Sequence, residues 1–336
     1  MLPFHIGRAA HLKRKLGRYC VEFYRYTTNP GFADEFLVRK GTSAMASIIQ
    51  QLITGISIGS IYALLAVGYA LIYSIFDFTN FAFGSLMMCC AYASFFAISY
   101  FDLSLPLALV IILVCGIVIS VVTELVAYRP MRNKNASRLF LMIAAMGVDL
   151  ILTYTCVNLF STNVRPLSVE FLVGSVKFGN VSVAKLDICS AIVALILLFL
   201  LWTLLYKSKH GIAIRASSVD TKTAGLMGIN VNVISLIVFA LSGVMAAFAG
   251  MFFGLKYAVY PTLGTISNKA FISSVIGGLG SLPGAVIGAL LLGVLETMIT
   301  GFVSSAWRDV FSFSLMIVIL IFRPFGLMGK SKGEKI

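Results

Sequence analysis

Long apolar stretches separated by short polar or basic segments dominate this chain: Ile48–Phe76, Phe81–Phe101, Leu105–Tyr128, Leu139–Phe160, Ile188–Tyr206, Val231–Leu255, Phe271–Ile299 and Val310–Phe322. Barrel strands would show short segments of alternating polarity. These runs are continuous, and a helix satisfies its own backbone hydrogen bonds in lipid. With about 20 apolar residues needed per crossing, the pattern predicts an all-α polytopic membrane protein with about eight transmembrane helices.

Two places break the pattern. The first reads D-F-T-N-F-A-F-G-S from Asp77 to Ser85, and the second G-G-L-G-S-L-P-G from Gly277 to Gly284. Glycine is permissive and proline lacks a donor. The run from Phe271 is therefore expected to be a re-entrant or broken helix: a half-helix, a turn and a second helix. Its freed backbone groups must be buried in protein or line a cavity. Interruptions in opposite halves of a chain point to a transport pathway, although two ordinary loops give the same pattern and no sequence repeat relates the halves. On the pathway reading, Asn80, Phe83, Ser85, Gly278, Gly280 and Ser281 line the route. Small residues four apart, at Gly55/Gly59, Gly250/Gly254 and Gly284/Gly288, predict close helix crossings.

Basic residues set the orientation. Arg129, Arg132, Lys134 and Arg138 lie after the third run, Lys207, Lys209, Arg215 and Lys222 after the fifth, and Arg323, Lys330, Lys332 and Lys335 at the end. Such clusters stay cytoplasmic, which puts 161–187 outside. Parity then starts the first run outside, although residues 1–45 are basic. Either an early run is re-entrant or the tail is unusual. Met45 opens M-A-S-I-I-Q-Q-L like a fresh start, so 1–44 is expected to be a basic extension from an upstream start codon, or a surface helix. Residues 45–329 are then the membrane-spanning domain and 330–336 a basic cytoplasmic tail.

The loop 207–230 is too long and polar for a simple connector. A short helix is expected from Ala216 to Met227, with Gly228 ending it and Asn230 capping the next span. Its apolar tip, Leu226 and Met227, suits docking on a soluble partner; a solvated amphipathic loop is the alternative. Around Gly179-Asn180 the alternation S-V-K-F-G-N-V-S-V predicts an external hairpin, a gate or delivery contact on one reading and a structural cover on the other. Intramembrane ionisable groups are functional candidates. Glu124 is expected to pair with Arg129. Asp149 is expected to meet a basic group of a partner subunit or a substrate ammonium, and Glu296 lies late in the seventh run.

Composition agrees: the chain of 336 residues is 59% hydrophobic and 12% charged, against about 25% charged in soluble domains. Its net charge of +13 fits basic cytoplasmic loops and not nucleic-acid binding. Six scattered cysteines and three histidines give no metal-ligand spacing. No G-x-x-x-x-G-K-[ST] loop, H-E-x-x-H or G-x-S-x-G is present, so neither ATP binding of the P-loop kind nor a reactive constellation is expected. Energy must come from an ion gradient, as in a secondary transporter or channel, or from another subunit.

Six stretches carry a resemblance. They are GISIGSIYALLAVGYALIY (55–73), NFAFG (80–84), ELVAYRPMR (124–132), GIAIRASSVDTKTAGLMGIN (211–230), KAFISSVIGGLGSLPGAVIGALLLGVLE (269–296) and RDVFSFSLMIVILIFRPFGLMG (308–329). From about Gln50 to Gly329 the chain resembles the permease subunits of ABC importers for branched-chain amino acids, the leucine/isoleucine/valine type. The resemblance implies a core of two permeases, usually related but different chains. It also implies two cytoplasmic ATPase subunits that use the ATP, an extracytoplasmic binding protein, and residence in a bacterial cell membrane. It places a cytoplasmic coupling helix within 211–230, with Arg215, Asp220, Ala224, Leu226, Met227 and Gly228 as ATPase contacts. The family usually reads N-F-A-H-G-E where this chain has Phe83 and Ser85, and a small polar residue is usual at Asp149, so substrate preference is open to change. Relatives of this architecture import urea, short amides and other amino acids.

Overall fold

The computed structural model of the chain describes residues 30–134, 136–178 and 181–329. Of the expected 1–44 extension, residues 1–29 lie outside the described part, as does the 330–336 tail; the backbone of 30–44 continues into the first helix. Eight described helices are long and apolar enough to cross a membrane.

The first helix, α1 (Pro30–Phe76), is apolar on every side over its second half, and a helix apolar all round belongs inside. Every residue from Ser57 to Ile72 is buried, so α1 is the central pillar. It stops at Asp77, held at φ +54°, and the chain restarts as α2 (Phe83–Phe95), extended by one π-turn at Phe96–Tyr100. Then follow α3 (Leu105–Thr123), a π-turn at Glu124–Tyr128, α4 (Arg129–Asn133) and α5 (Arg138–Phe160).

Strands β1 (Ser175–Phe178) and β2 (Val181–Ala184) pair antiparallel, Ser175 opposite Ala184 and Phe178 opposite Val181. That register is the hairpin expected around Gly179-Asn180, two residues that are themselves outside the described part. Helix α6 (Lys185–Lys207) leads back to the basic loops, α7 (Lys209–Val219) and α8 (Thr221–Leu226) turn there, and α9 (Val231–Tyr257) returns.

After a 3₁₀ turn at Pro261–Ile266, α10 (Ser267–Gly277) descends, turns and continues as α11 (Leu282–Phe302); α12 (Arg308–Phe322) ends the bundle. The expected half-helix, turn and second helix are therefore present. The turn is sealed from below: Leu327 N–H donates to Ile276 O and Met328 N–H to Gly277 O, both at 2.9 Å. These bonds satisfy carbonyls that lipid would leave bare.

Glycines set the closest approaches. A Cβ on Gly59 would lie 2.9 Å from Leu290 Cα, and one on Gly55 2.8 Å from Val294 Cα, so α1 and α11 touch backbone to backbone. Gly250 meets α2 and Gly288 meets α10 in the same way. All three expected small-residue pairs thus contribute to crossings.

The buried half of α1 begins at the hairpin end, where Ser57 Oγ donates to Asp187 Oδ1 at 2.9 Å. Its far end lies with the basic loops, where Asp77 pairs with Arg138 at 2.9 Å. Helix α1, α2 with its π-turn, and α3 with its π-turn and α4 are each long and apolar enough to cross. No early run need therefore be re-entrant, and the parity conflict resolves with the first crossing starting at the hairpin end.

Candidate functional site

At the basic-loop end the segment expected from the sequence to act as a coupling lever forms α7 and α8, built differently from the expectation. The anticipated helix from Ala216 to Met227 is two helices, because Asp220 adopts an extended backbone (φ −152°, ψ 113°) and caps a new start. Its carboxylate accepts from Lys222 N–H at 2.9 Å and from the Thr223 hydroxyl. Those bonds, the hydroxyl first, hold the exposed carboxyl below the usual carboxylate range.

Helix α8 ends in a Schellman arrangement: Ile229 N–H donates to Ala224 O and Gly228 N–H to Gly225 O, both at 3.1 Å. Gly228 sits at φ +86°, where a side chain would be strained. Asn230 then caps α9 by accepting from Asn232 and Val233 N–H, as expected.

Helix α7 leaves α6 through a sharp corner. Ser208 Oγ accepts from Gly211 N–H at 2.9 Å, and a Cβ on Gly211 would strike the carbonyls of Leu204 and Leu205. Gly211, Ile214 and Ser217 recur every third residue on the buried face of α7, which lies against α1, α6 and α9. Arg215 projects from α7 with its guanidinium 4.9 Å from the Tyr206 ring centroid. Of the six residues assigned to the lever, Ala224 is buried at 5% exposure, whereas Leu226 and Met227 are 88% and 80% exposed. The apolar tip is therefore presented outward and Ala224 supports it from within.

At the base of α9 lies an anchor that inspection of the sequence misassigned. Glu124 pairs with Arg132, not Arg129, at 2.9 Å. The π-turn and α4 bring residue 132 back beneath residue 124. Arg132 also donates to Ser235 Oγ (2.9 Å) and Asn232 Oδ1 (2.8 Å), and its guanidinium lies over Phe76. Ser235 donates to Glu124 at 2.6 Å. This network ties the first turns of α9, immediately after the lever, to α3 and α4. Asn232 and Ser235 carried no sequence signal beyond being polar residues at the mouth of an apolar run.

Within the bundle the structure brings together some pathway candidates and separates others. Asn80 Oδ1 accepts from the Tyr128 hydroxyl (2.6 Å) and Ala82 N–H (3.2 Å), fixing the break after α1. Phe83 is fully buried, edge-on to Tyr69 and filling the space that Gly68 leaves. Ser85, in the first turn of α2, donates to Ala82 O, and half-buried Asp149 of α5 interacts with its hydroxyl and backbone N–H. Ser85 and Asp149, far apart in sequence, therefore face each other.

Gly278 (φ +108°) and Gly280 (φ +84°) form the turn at the other end, and Ser281 caps α11 through Gly284 N–H at 3.3 Å. A Cβ on Gly278 would fall 2.5 Å from Gly329 N, so the glycine lets the C-terminal segment close on the turn. Gly280 and Ser281 share a cavity with Arg215, which Asn80, Phe83, Ser85, Asp149 and Gly278 do not reach.

Two further buried charge clusters stand toward the hairpin end. Asp187 takes Lys256 at 2.5 Å and Ser57. Glu296 takes Lys269 and the Tyr62 hydroxyl, and Lys269 also reaches Asp309 at 2.8 Å. Each cluster joins helices distant in sequence, and the pairing offsets the cost of charge inside the membrane. Among the described residues no group of three or more His, Cys, Asp or Glu side chains is placed to hold a metal.

The model of the family described as branched-chain amino acid transport system / permease component matches residues 51–320. The high-affinity branched-chain amino acid transport system permease protein BraD of Pseudomonas aeruginosa is 33% identical over 302 residues, 86% of this chain and 98% of that protein. The corresponding LivH of Escherichia coli K12 is 34% identical over 302 residues, 86% of this chain and 97% of that protein.

Proposed function

This chain belongs to the permease-component family of branched-chain amino acid transport systems, and we propose that it lines, with a second and related permease chain, a pathway for branched-chain or similar amino acids across the bacterial cytoplasmic membrane. It is a multi-pass permease subunit of an ABC importer and not an enzyme. Basic loops stay cytoplasmic, so α7, α8 and the Gly278–Ser281 turn face the cytosol, and the β-hairpin faces the binding protein that delivers substrate.

The chain holds no nucleotide itself; two cytoplasmic ATPase subunits bind and hydrolyse ATP. The observation that carries this reading is the outward apolar tip, Leu226 and Met227, on a helix capped at both ends by Asp220 and Gly228. An apolar tip on a rigid support is what a groove on a soluble partner accepts. Movement of α8 passes through Asn230 into α9, and through the Glu124–Arg132–Ser235 network into α3 and α4, so the bundle shifts in response to the motor. Asn80, Phe83, Ser85 and Asp149 act at the break between α1 and α2; Gly278, Gly280 and Ser281 act at the cytosolic turn.

Reconstitution tests this. The assembled complex should accumulate amino acid in liposomes only with ATP and binding protein, and the isolated chain should be inert under any ion gradient. Accumulation by the isolated chain would overturn the proposal.

A further inference from the structure

A cavity of about 740 Å³ opens at the basic-loop end between the end of α1, α7, the Gly278–Ser281 turn and the C-terminal segment. Its walls are about half apolar, with Leu71, Val275, Leu282 and Phe325 forming an apolar side. Charged groups meet at one side. Asp77, which holds the positive φ that ends α1, pairs with Arg138. Arg215 points to the same space and has an aromatic ring, and no carboxylate, as its described neighbour. A concave site of a few hundred Å³ with apolar walls and a few convergent polar groups is the usual architecture of a small-molecule pocket.

An uncommitted guanidinium, a nearby carboxylate and aliphatic walls match a zwitterion with an apolar side chain. We infer that this cavity is a release-side binding site for the transported amino-acid class, through which accumulated product slows further import. Arg215 takes the α-carboxylate, Asp77 shares its carboxylate between Arg138 and the α-ammonium, and the aliphatic walls take the side chain. This rests on the importer reading above. The occupant bridges the lever, the glycine turn and the C-terminal segment. Those three parts move relative to one another when the lever moves, so binding favours one arrangement and withdraws it from turnover.

An anionic lipid offers related chemistry, an anion with an apolar body, and the experiment separates the two. The complete transporter is placed in proteoliposomes with binding protein and substrate outside and leucine inside. A ligand that traps one state lowers uptake by 1 + [L]/Kd, about fivefold at four times its Kd. In nanodiscs without binding protein or ATP, radiolabelled leucine should bind the wild-type complex and bind Arg215→Gln about 10- to 100-fold more weakly, as expected for loss of one charge-assisted contact. Met328→Trp fills the cavity from its partly exposed rim; it should abolish leucine binding in nanodiscs and make whatever uptake remains indifferent to luminal leucine.

Uptake indifferent to luminal leucine, with no leucine bound in nanodiscs, overturns the site and leaves the importer reading standing. So does inhibition that survives Met328→Trp and Arg215→Gln, or inhibition that follows phosphatidylglycerol content instead of leucine. Absence of ATP-driven uptake into empty vesicles counts against the importer reading itself, and nanodisc binding still decides the site.

Discussion

Replacing Leu226 and Met227 together by alanine tests the lever most directly. The two side chains are 88% and 80% exposed, so nearly all their apolar surface is available for burial by a partner. Full burial of a side chain of this size is worth about 1.5–3 kcal/mol. Truncating both therefore removes roughly 2–5 kcal/mol from docking, or about 30- to 4,000-fold in affinity at 1.4 kcal/mol per decade. The effect on the chain itself should be slight, since an exposed tip packs on little and both replacements suit a helix end. The assay is paired: retention of the ATPase subunits through mild-detergent purification, and ATP-driven uptake by the reconstituted complex. Both should fall together, with membrane insertion and thermal stability of the permease at wild-type values. Normal copurification with normal uptake would refute the lever assignment. Lost stability would show that the tip is buried within the permease instead.

Other outcomes follow from the same geometry. Gly293→Ala places a methyl against Gly59 and 2.7 Å from Gly55 O, and should cost about 1–3 kcal/mol in thermal denaturation of the purified complex; Gly147→Ala, with nothing within 4 Å of the new Cβ, should be neutral or stabilising by up to about 1 kcal/mol. Equal effects would dismiss the α1–α11 contact as a determinant of stability. Arg132→Met strands the buried Glu124 and should cost about 3–5 kcal/mol, most of it recovered when Glu124 becomes Leu as well; a double variant no better than the single argues against the pairing. Asp220→Ala should speed amide exchange at Lys222 and Thr223, whereas Asp220→Asn keeps the cap. Because the folded carboxyl titrates below its unfolded value, the cap contributes above the ordinary carboxylate range and is lost only as pH falls through the lowered value. Corrected protection should thus be flat from pH 8 down to about 5, well above the ordinary carboxylate pKa, and a decline starting near neutrality would contradict the assignment. Asp149→Asn should change transport rate with subunit assembly unaffected if the Ser85–Asp149 contact lies on the route; an unaltered rate removes it from the pathway.

The sequence by itself determined the number and type of crossings, the broken helix from Gly277 to Gly284, the hairpin and the capped helical loop between the fifth and sixth apolar runs. Each follows from a short-range rule: apolar length against bilayer thickness, glycine and proline against helix continuity, alternation around Gly-Asn, caps at Asp220, Gly228 and Asn230. Parity of the basic loops even required the first crossing to start outside, a conclusion that the basic N-terminal residues obscured. The tertiary structure decided which charges meet. Arg129 lay nearest to Glu124 along a regular helix, but a π-turn carried Arg132 there, and Asn232 and Ser235 joined from 100 and 103 residues beyond Arg132. Only packing placed Ser85 against Asp149, turned Ala224 inward while leaving Leu226 and Met227 outward, and folded the C-terminal segment beneath the glycine turn. Helix formation is local because its hydrogen bonds close within four residues. The pairing of helices in a membrane depends on close van der Waals fit and interhelical polar contacts, which no local pattern encodes.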